Sequence, residues 1–103
     1  MAKVRTARFV DQLKDALVEG LGNVGIDADV RMEPVPTTRL YRVFVVASNF
    51  KPLKHTERQN LVWRMAERVL SPENQLRVSM IVTLTPEEAG EQRAARVSRR
   101  SAP

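Results

Sequence analysis

Residues 41–70, YRVFVVASNFKPLKHTERQNLVWRMAERVL, join a strand pattern, a basic loop and a helix pattern without a gap. The run at 40–48 carries apolar side chains on both of its alternating faces, which is typical of a central strand. Residues 49–55 form the loop, and an amphipathic helix is predicted for 57–70. Thr56, followed three residues later by Gln59, predicts a capping box at the start of this helix.

Another amphipathic helix and another strand are predicted before this stretch. The helix covers 5–21 with its apolar residues on one side, and Gly20 and Gly22 predict its end. From 26 to 32 apolar and polar residues alternate, which predicts a strand with one side in water. Pro34 then breaks the strand pattern and indicates a loop.

The C-terminal part adds a third strand and a short helix. The 57–70 helix is predicted to bury Leu61, Val62, Met65, Ala66 and Val69. The third strand is predicted from the alternating residues Leu76, Val78, Met80, Val82 and Leu84. A capping box from Thr85 to Glu88, with Pro86 at the first helical position, starts the last helix. The order α-β-β-α-β(-α) predicts an α+β two-layer sandwich, with a three-stranded sheet and both main helices on one face.

Length and composition limit the classes of protein. The 103 residues allow one core, so we predict a single domain at 1–92 and a basic, disordered tail at 93–103. The net charge of +5 favours nucleic acid or another anionic partner, although solubility alone explains a basic tail equally well. Zero cysteines exclude disulfides, thiolate metal sites and cysteine nucleophiles. No apolar run approaches about 20 residues, so we predict no membrane segment and expect a cytoplasmic location.

Acidic residues give little support to catalysis. Glu57 and Glu67 lie beside arginines in the predicted helix, where solvated salt bridges account for them. Glu87 and Glu88 are explained by the start of the last helix. The sequence has no glycine-rich phosphate loop and no serine–histidine elbow, so we predict neither an enzyme nor a cofactor.

Short motifs between residues 41 and 88 resemble those of one protein family. The matching residues are Val45, Val46, Ser48 and Phe50 after the central strand, Arg58 and Val62 in the helix, and Thr85, Pro86 and Glu88 in a T-P-x-E turn. The family is that of the BolA-like proteins, which have a KH-like fold. The resemblance implies a regulatory or adaptor role, with a connection to DNA binding and transcriptional control through this helix.

The chain departs from this family at the residues that matter most. Gln59 stands where the helix motif has a histidine, and Arg77 falls at the position of the histidine that starts the third strand. The resemblance also implies a monothiol glutaredoxin partner that shares an iron–sulfur cluster through a histidine ligand. Glutamine is a poor iron ligand, and His55, the one histidine, lies four residues before Gln59. An exposed loop histidine is the simpler interpretation, so no metal site is predicted and His55 stays a weak candidate.

Residues around the start of the helix are the candidate site for a partner or nucleic acid. They are Lys51, Lys54, Arg58, Gln59, Trp63, Arg64 and Arg68. Because Arg58 falls within the apolar stripe, it must pair with a carboxylate or carbonyl, or face an anion at the helix N-terminus. Trp63 falls off that stripe, which indicates either an exposed anchor for a partner or packing beneath the C-terminal segment.

Three functions follow from these patterns. The first is a non-enzymatic BolA-like adaptor that binds a protein partner or nucleic acid through the 49–60 loop and the helix after it. The second is a KH-like RNA- or ribosome-associated protein. The family resemblance requires Phe50 and Arg58 to lie together at the mouth of the loop, which separates these two hypotheses. The third is a glutaredoxin-partnered iron–sulfur protein that uses His55.

Overall fold

The central strand of the sheet is β2, Tyr41–Val46. The computed structural model describes the backbone of residues 2–91 and the side chains of residues 9–91. In it, β2 pairs with β1, Asp29–Pro34, in antiparallel fashion and with β3, Val78–Leu84, in parallel fashion. Val43 and Val45 have no exposed surface, as the predicted central position of this strand requires.

Two long helices cover one face of this mixed sheet. They are α1, Ala2–Asn23, and α2, His55–Val69, which contact each other while α1 packs on β1 and α2 on β3. The apolar core between the layers includes Leu13, Leu17, Leu21, Val30, Val43, Val45, Phe50, Val62 and Ala66. The predicted α+β two-layer sandwich is therefore confirmed, because α2 forms the crossover that a parallel β2–β3 pair needs.

Three short helical segments complete the described chain. A single 3₁₀ turn, Ser48–Phe50, follows β2, and α3, Pro72–Gln75, links α2 to β3. Residues 86–91, labelled α4 here, form the predicted helix after β3. Within residues 2–91 no helix is long and apolar enough to cross a membrane. The predicted tail, 93–103, lies outside the described residues.

Helix α1 runs through both glycines that were predicted to end it. Gly25 has the left-handed conformation, with a φ of 83°, and takes the terminating role. Its N–H donates to the carbonyl of Gly22 at 3.0 Å, and the N–H of Ile26 donates to that of Leu21 at 2.8 Å. These two bonds form a Schellman motif, in which the left-handed residue follows the helix. The predicted end was too early because Gly20 and Gly22 have ordinary helical positions.

Strand β1 begins later than predicted and includes the proline that was predicted to break it. Pairing starts with Asp29 opposite Val46, because the chain before Asp29 is occupied by the helix termination. Pro34 pairs with Tyr41 at the other end of the strand. Proline is tolerated there because β1 is an edge strand, whose outer N–H groups need no partner in the sheet.

The alternation predicted for the third strand is interrupted by a bulge. Tyr41 pairs with Val78, but the next residue of β2, Arg42, pairs with Met80. The extra residue shifts the faces, so that Ile81 is buried whereas 46% of Met80 is exposed. Leu76, predicted to belong to this strand, precedes it and is 79% exposed. The strand was therefore predicted to begin too early, and its unbroken alternation was wrong because a bulge leaves no mark in the apolar pattern.

The two ends of α2 also differ from the prediction. Lys54 precedes the first helical residue, and its N–H donates to Glu57 Oε1 at 2.9 Å, so the predicted Thr56–Gln59 box is wrong. At the other end Val69 is 47% exposed, against the prediction. Leu70 is buried in its place, because the chain turns to an extended conformation there and directs that residue inward.

Candidate functional site: the start of helix α2

Arg58, in the first turn of α2, is buried and paired. Only 4% of the residue is exposed. Its Nε donates to the Leu53 carbonyl at 3.0 Å, and its Nη1 donates to Glu88 Oε1 at 2.8 Å. The guanidinium lies 5.8 Å from the centroid of the Phe50 ring, so the two residues meet at the mouth of the loop. Of the two interpretations of Arg58, pairing with a carboxylate and a carbonyl is confirmed, and this arginine does not face an external anion.

Glu88 joins α2 to α4. Its Oε1 accepts from the Thr85 N–H at 2.8 Å, and the Glu88 N–H donates to Thr85 Oγ1 at 3.3 Å, which confirms the predicted capping box. The Thr85 N–H and then the Arg58 guanidinium stabilise the carboxylate and lower the pKa of Glu88 below its usual value. The pairing of Glu88 with Arg58 could not be predicted from local sequence patterns, because the two residues lie 30 positions apart.

Gln59 binds the outer strand of the sheet. Its Nε2 donates to the Ile81 carbonyl at 2.8 Å, and its Oε1 accepts from the Thr83 hydroxyl at 3.1 Å. Thr83 is buried, with 3% of its surface exposed, so the amide satisfies the hydrogen-bonding need of a buried hydroxyl. Both ends of the Gln59 amide are therefore engaged inside the molecule, and this predicted interaction residue is a link between α2 and β3.

Trp63 is half-buried and packs against the core cluster. Since 100° separates successive helix residues, it lies on the same flank of α2 as Gln59, one turn later. That flank faces β3, which accounts for its partial burial. The contact with the core cluster supports the packing interpretation of Trp63, and its role as an anchor for a partner stays a prediction.

The remaining basic residues of the candidate site point outward. Lys51, Lys54, Arg64 and Arg68 are all exposed, and we refer to these four as the α2 basic surface. Within the described part of the chain none of them forms a salt bridge. On a helical projection Lys54, Arg64 and Arg68 fall within about 80° of one another, so they share one side of α2. Glu57, which was expected to pair with an arginine, caps the helix instead.

His55 is the first residue of α2, and its side chain is 71% exposed. Its Nε2 lies 3.9 Å from Glu88 Oε2, on the opposite side of that carboxylate from Arg58. Among residues 2–91 there is no group of three or more histidine, cysteine, aspartate or glutamate side chains that could hold a metal ion. The predicted exposure of His55 is thus confirmed, but its predicted place in the loop is wrong, because α2 begins at this residue.

These features define a class of protein by its fold. The order α1-β1-β2-α2-β3, the three-stranded sheet with both long helices on one face, and the contact of Phe50 with Arg58 are the features that the resemblance to BolA-like proteins implied. The chain has a BolA-like, KH-like fold.

A search of solved structures finds a chain that is similar to this one. It is BolA1 from Arabidopsis thaliana, with a TM-score of 0.48 and 19% sequence identity, over 74% of this chain and 94% of that chain. No family model matches the sequence, and the search of curated proteins found no match. The BolA-like, KH-like fold follows from the topology of the described elements.

Proposed function

We propose that the protein is a non-enzymatic, BolA-like regulatory or adaptor domain that binds nucleic acid through the α2 basic surface. One observation carries this proposal: the four cations of that surface are exposed and have no acidic partner among the described residues. Cations held at surface positions on one side of a helix can neutralise successive phosphates, and the release of counterions then drives binding.

The character of the surrounding residues favours backbone contacts over reading of bases. Phe50 has no exposed surface and Trp63 is half-buried, so neither offers an open ring on which a base could stack. Gln59, which could otherwise hydrogen-bond a base edge, is engaged with β3. We therefore expect binding with little sequence preference and a strong dependence on salt.

A salt titration of binding to single-stranded RNA and to duplex DNA tests this function. Changing Lys54, Arg64 and Arg68 together to glutamine should weaken binding and lower the slope of log K against log salt. The expected decrease is about 0.7 to 0.9 per lost phosphate contact. Arg58 is left intact because its removal would disturb the fold. The proposal fails if neither nucleic acid binds at low salt.

The matched control for this titration is Arg31→Gln. Arg31 is an exposed cation on β1 that pairs with Glu33 at 3.3 Å, and it lies on the face of the sheet away from the helices. This variant loses one positive charge outside the proposed surface. Single variants Arg64→Gln and Arg68→Gln should each change the slope more than Arg31→Gln does. Equal effects of all three would mean that net charge, not the α2 basic surface, controls binding.

A preference for RNA over DNA would favour the alternative of a KH-like RNA- or ribosome-associated protein.

A second candidate function, partnership with a monothiol glutaredoxin, is supported by the exposure of His55. Its imidazole lies at the protein surface, where a ligand to a cluster shared with a partner would have to lie. The Gln59 amide, at the position of the family's usual histidine, is occupied. Mixing the protein with a cluster-loaded monothiol glutaredoxin and recording visible absorption tests this candidate. A band shift that disappears in His55→Gln supports it, whereas an unchanged spectrum rejects it.

A further inference from the structure

A second cationic group lies at the end of the sheet opposite to Lys51 and Lys54. The guanidinium of Arg77, just before β3, lies 4.4 Å from the centroid of the Phe9 ring and 5.9 Å from that of Tyr41. The two rings contact each other edge to face, with centroids 5.4 Å apart. Arg77 is half-buried, so this aromatic contact fixes the position of a charge that is still open to water.

Most of the hydrogen-bonding capacity of Arg77 is unused. Its Nε donates to the main-chain carbonyl of Arg39 at 3.4 Å, a long bond. Within the described part of the chain no carboxylate forms a salt bridge with Arg77, and neither of its terminal nitrogens donates a hydrogen bond. A guanidinium carries further N–H donors on those nitrogens, in the fork that matches a phosphate.

Arg39 adds a second positive charge beside this arginine. It is exposed, and its carbonyl is the acceptor of the Arg77 hydrogen bond, so the two residues adjoin at this end of the sheet. Both arginines add positive charge to this end of the sheet, and neither forms a salt bridge among the described residues, so an anion bound here would gain from that charge. We propose that Arg39 and Arg77, named here the sheet-end site, bind a phosphate of the same nucleic acid that the α2 basic surface binds. This inference rests on the proposed function.

The length of β2 sets the distance between the sheet-end site and the lysines of the α2 basic surface, Lys51 and Lys54. Tyr41, beside Arg77, is the first residue of this strand, whereas Lys51 and Lys54 follow its other end. With about 3.3 Å per residue, a strand of this length separates them by about 17 to 20 Å. Phosphates of one strand follow each other at about 3.4 Å along a duplex axis, so this distance corresponds to about six of them. A nucleic acid must therefore exceed that length to contact both the sheet-end site and the Lys51–Lys54 end of the α2 basic surface.

The test compares single substitutions on a long and a short nucleic acid. Arg39→Gln is the cleaner variant, because the described contact of Arg39 uses its main chain and stays intact. Arg77→Gln removes the charge and keeps a donor towards the Arg39 carbonyl. On a long strand each variant should lower the salt slope by about 0.7 to 0.9, and on a strand of about three nucleotides by much less. Arg31→Gln controls for the change in net charge.

The outcomes separate this inference from the proposed function. If the triple variant of the α2 basic surface weakens binding while Arg39→Gln and Arg77→Gln behave like Arg31→Gln, the sheet-end site is overturned and the proposed function stands. If the wild type binds no nucleic acid, both are overturned. Thermal unfolding of Arg77→Gln and Arg77→Lys measures the structural role separately. If both Arg77 variants lose stability while Arg39→Gln leaves the salt slope of binding unchanged, Arg77 has only a packing role. If Arg39→Gln weakens binding to polyglutamate but not to nucleic acid, the inference is also rejected, and the sheet-end site binds an acidic peptide instead.

Discussion

Arg58 Nη1 and Glu88 Oε1 lie 2.8 Å apart and connect the first turn of α2 to the first turn of α4. The arginine is buried, whereas a third of the glutamate side chain is exposed. The same carboxylate caps α4 by accepting from the Thr85 N–H. One side chain thus neutralises an internal charge and begins the helix that follows the sheet.

Replacing Glu88 by glutamine should therefore destabilise the fold clearly. Glutamine keeps the shape but loses the negative charge that faces the buried Arg58 guanidinium. We expect a loss of about 1.5–3 kcal/mol in the free energy of unfolding, the range for hydrogen bonds to charged groups. Chemical denaturation followed by circular dichroism measures it. The control is Glu87→Gln in the same turn, which is exposed and should change stability by less than about 0.5 kcal/mol. If Glu88→Gln and Glu87→Gln lower stability equally, the ion pair with Arg58 contributes no more than any negative charge in the first turn of α4.

The stability difference between wild type and Glu88→Gln should depend on pH. The Thr85 N–H and the Arg58 guanidinium lower the folded-state pKa of Glu88, so the carboxylate stabilises the fold in its ionised form. Its contribution is fully present above the ordinary glutamate pKa of about 4.3 and is lost as the pH falls through the lowered folded value. Denaturation of both proteins at neutral pH and at several acidic values tests this. A difference that stays constant down to the acid limit would contradict the assignment.

The extent to which the sequence predicts this fold depends on the range of the interactions. The amphipathic helices and the Thr85–Glu88 box are local patterns, and the structure confirms them. The bulge in β3 and the late end of α1 are not visible in the apolar pattern, because both depend on hydrogen bonds between backbone groups. Burial of Arg58 could be predicted from its place in the apolar stripe.

Contacts between residues that lie far apart in the chain could not be predicted from the sequence. Nothing local links Gln59 to Ile81 or Thr83, or stacks Arg77 on Phe9. Of the predicted site residues, the structure leaves the lysines and outer arginines exposed and uses Arg58 and Gln59 internally. A single sequence shows the type of each side chain, but the register between α2 and the sheet decides which of them remain available.

Gln59 supplies a test of that register. In Gln59→Glu the donor to the Ile81 carbonyl becomes an ionised oxygen facing another oxygen, while the size of the side chain is kept. We expect the free energy of unfolding to fall by about 1–3 kcal/mol, the cost of leaving a buried polar group unsatisfied. Asn60→Asp, the same chemical change at the next, exposed residue, should have little effect. If both variants are equally stable, Gln59 does not hold α2 on β3.

Substitution by alanine should change stability in opposite directions at Gly22 and Gly25, near the end of α1. Gly22 lies within the helix, and a methyl group added there would meet nothing within 4 Å, so Gly22→Ala should stabilise by about 0.5–1 kcal/mol. Gly25 also has free space, but its φ of 83° is a conformation that disfavours any β-carbon. Gly25→Ala should destabilise by about 1 kcal/mol, because the left-handed conformation costs a residue with a side chain about 1–2 kcal/mol. Thermal denaturation of both variants beside the wild type gives the sign directly. A stabilised Gly25→Ala would mean that α1 ends differently, and that the bond from the Ile26 N–H to the Leu21 carbonyl does not form as described.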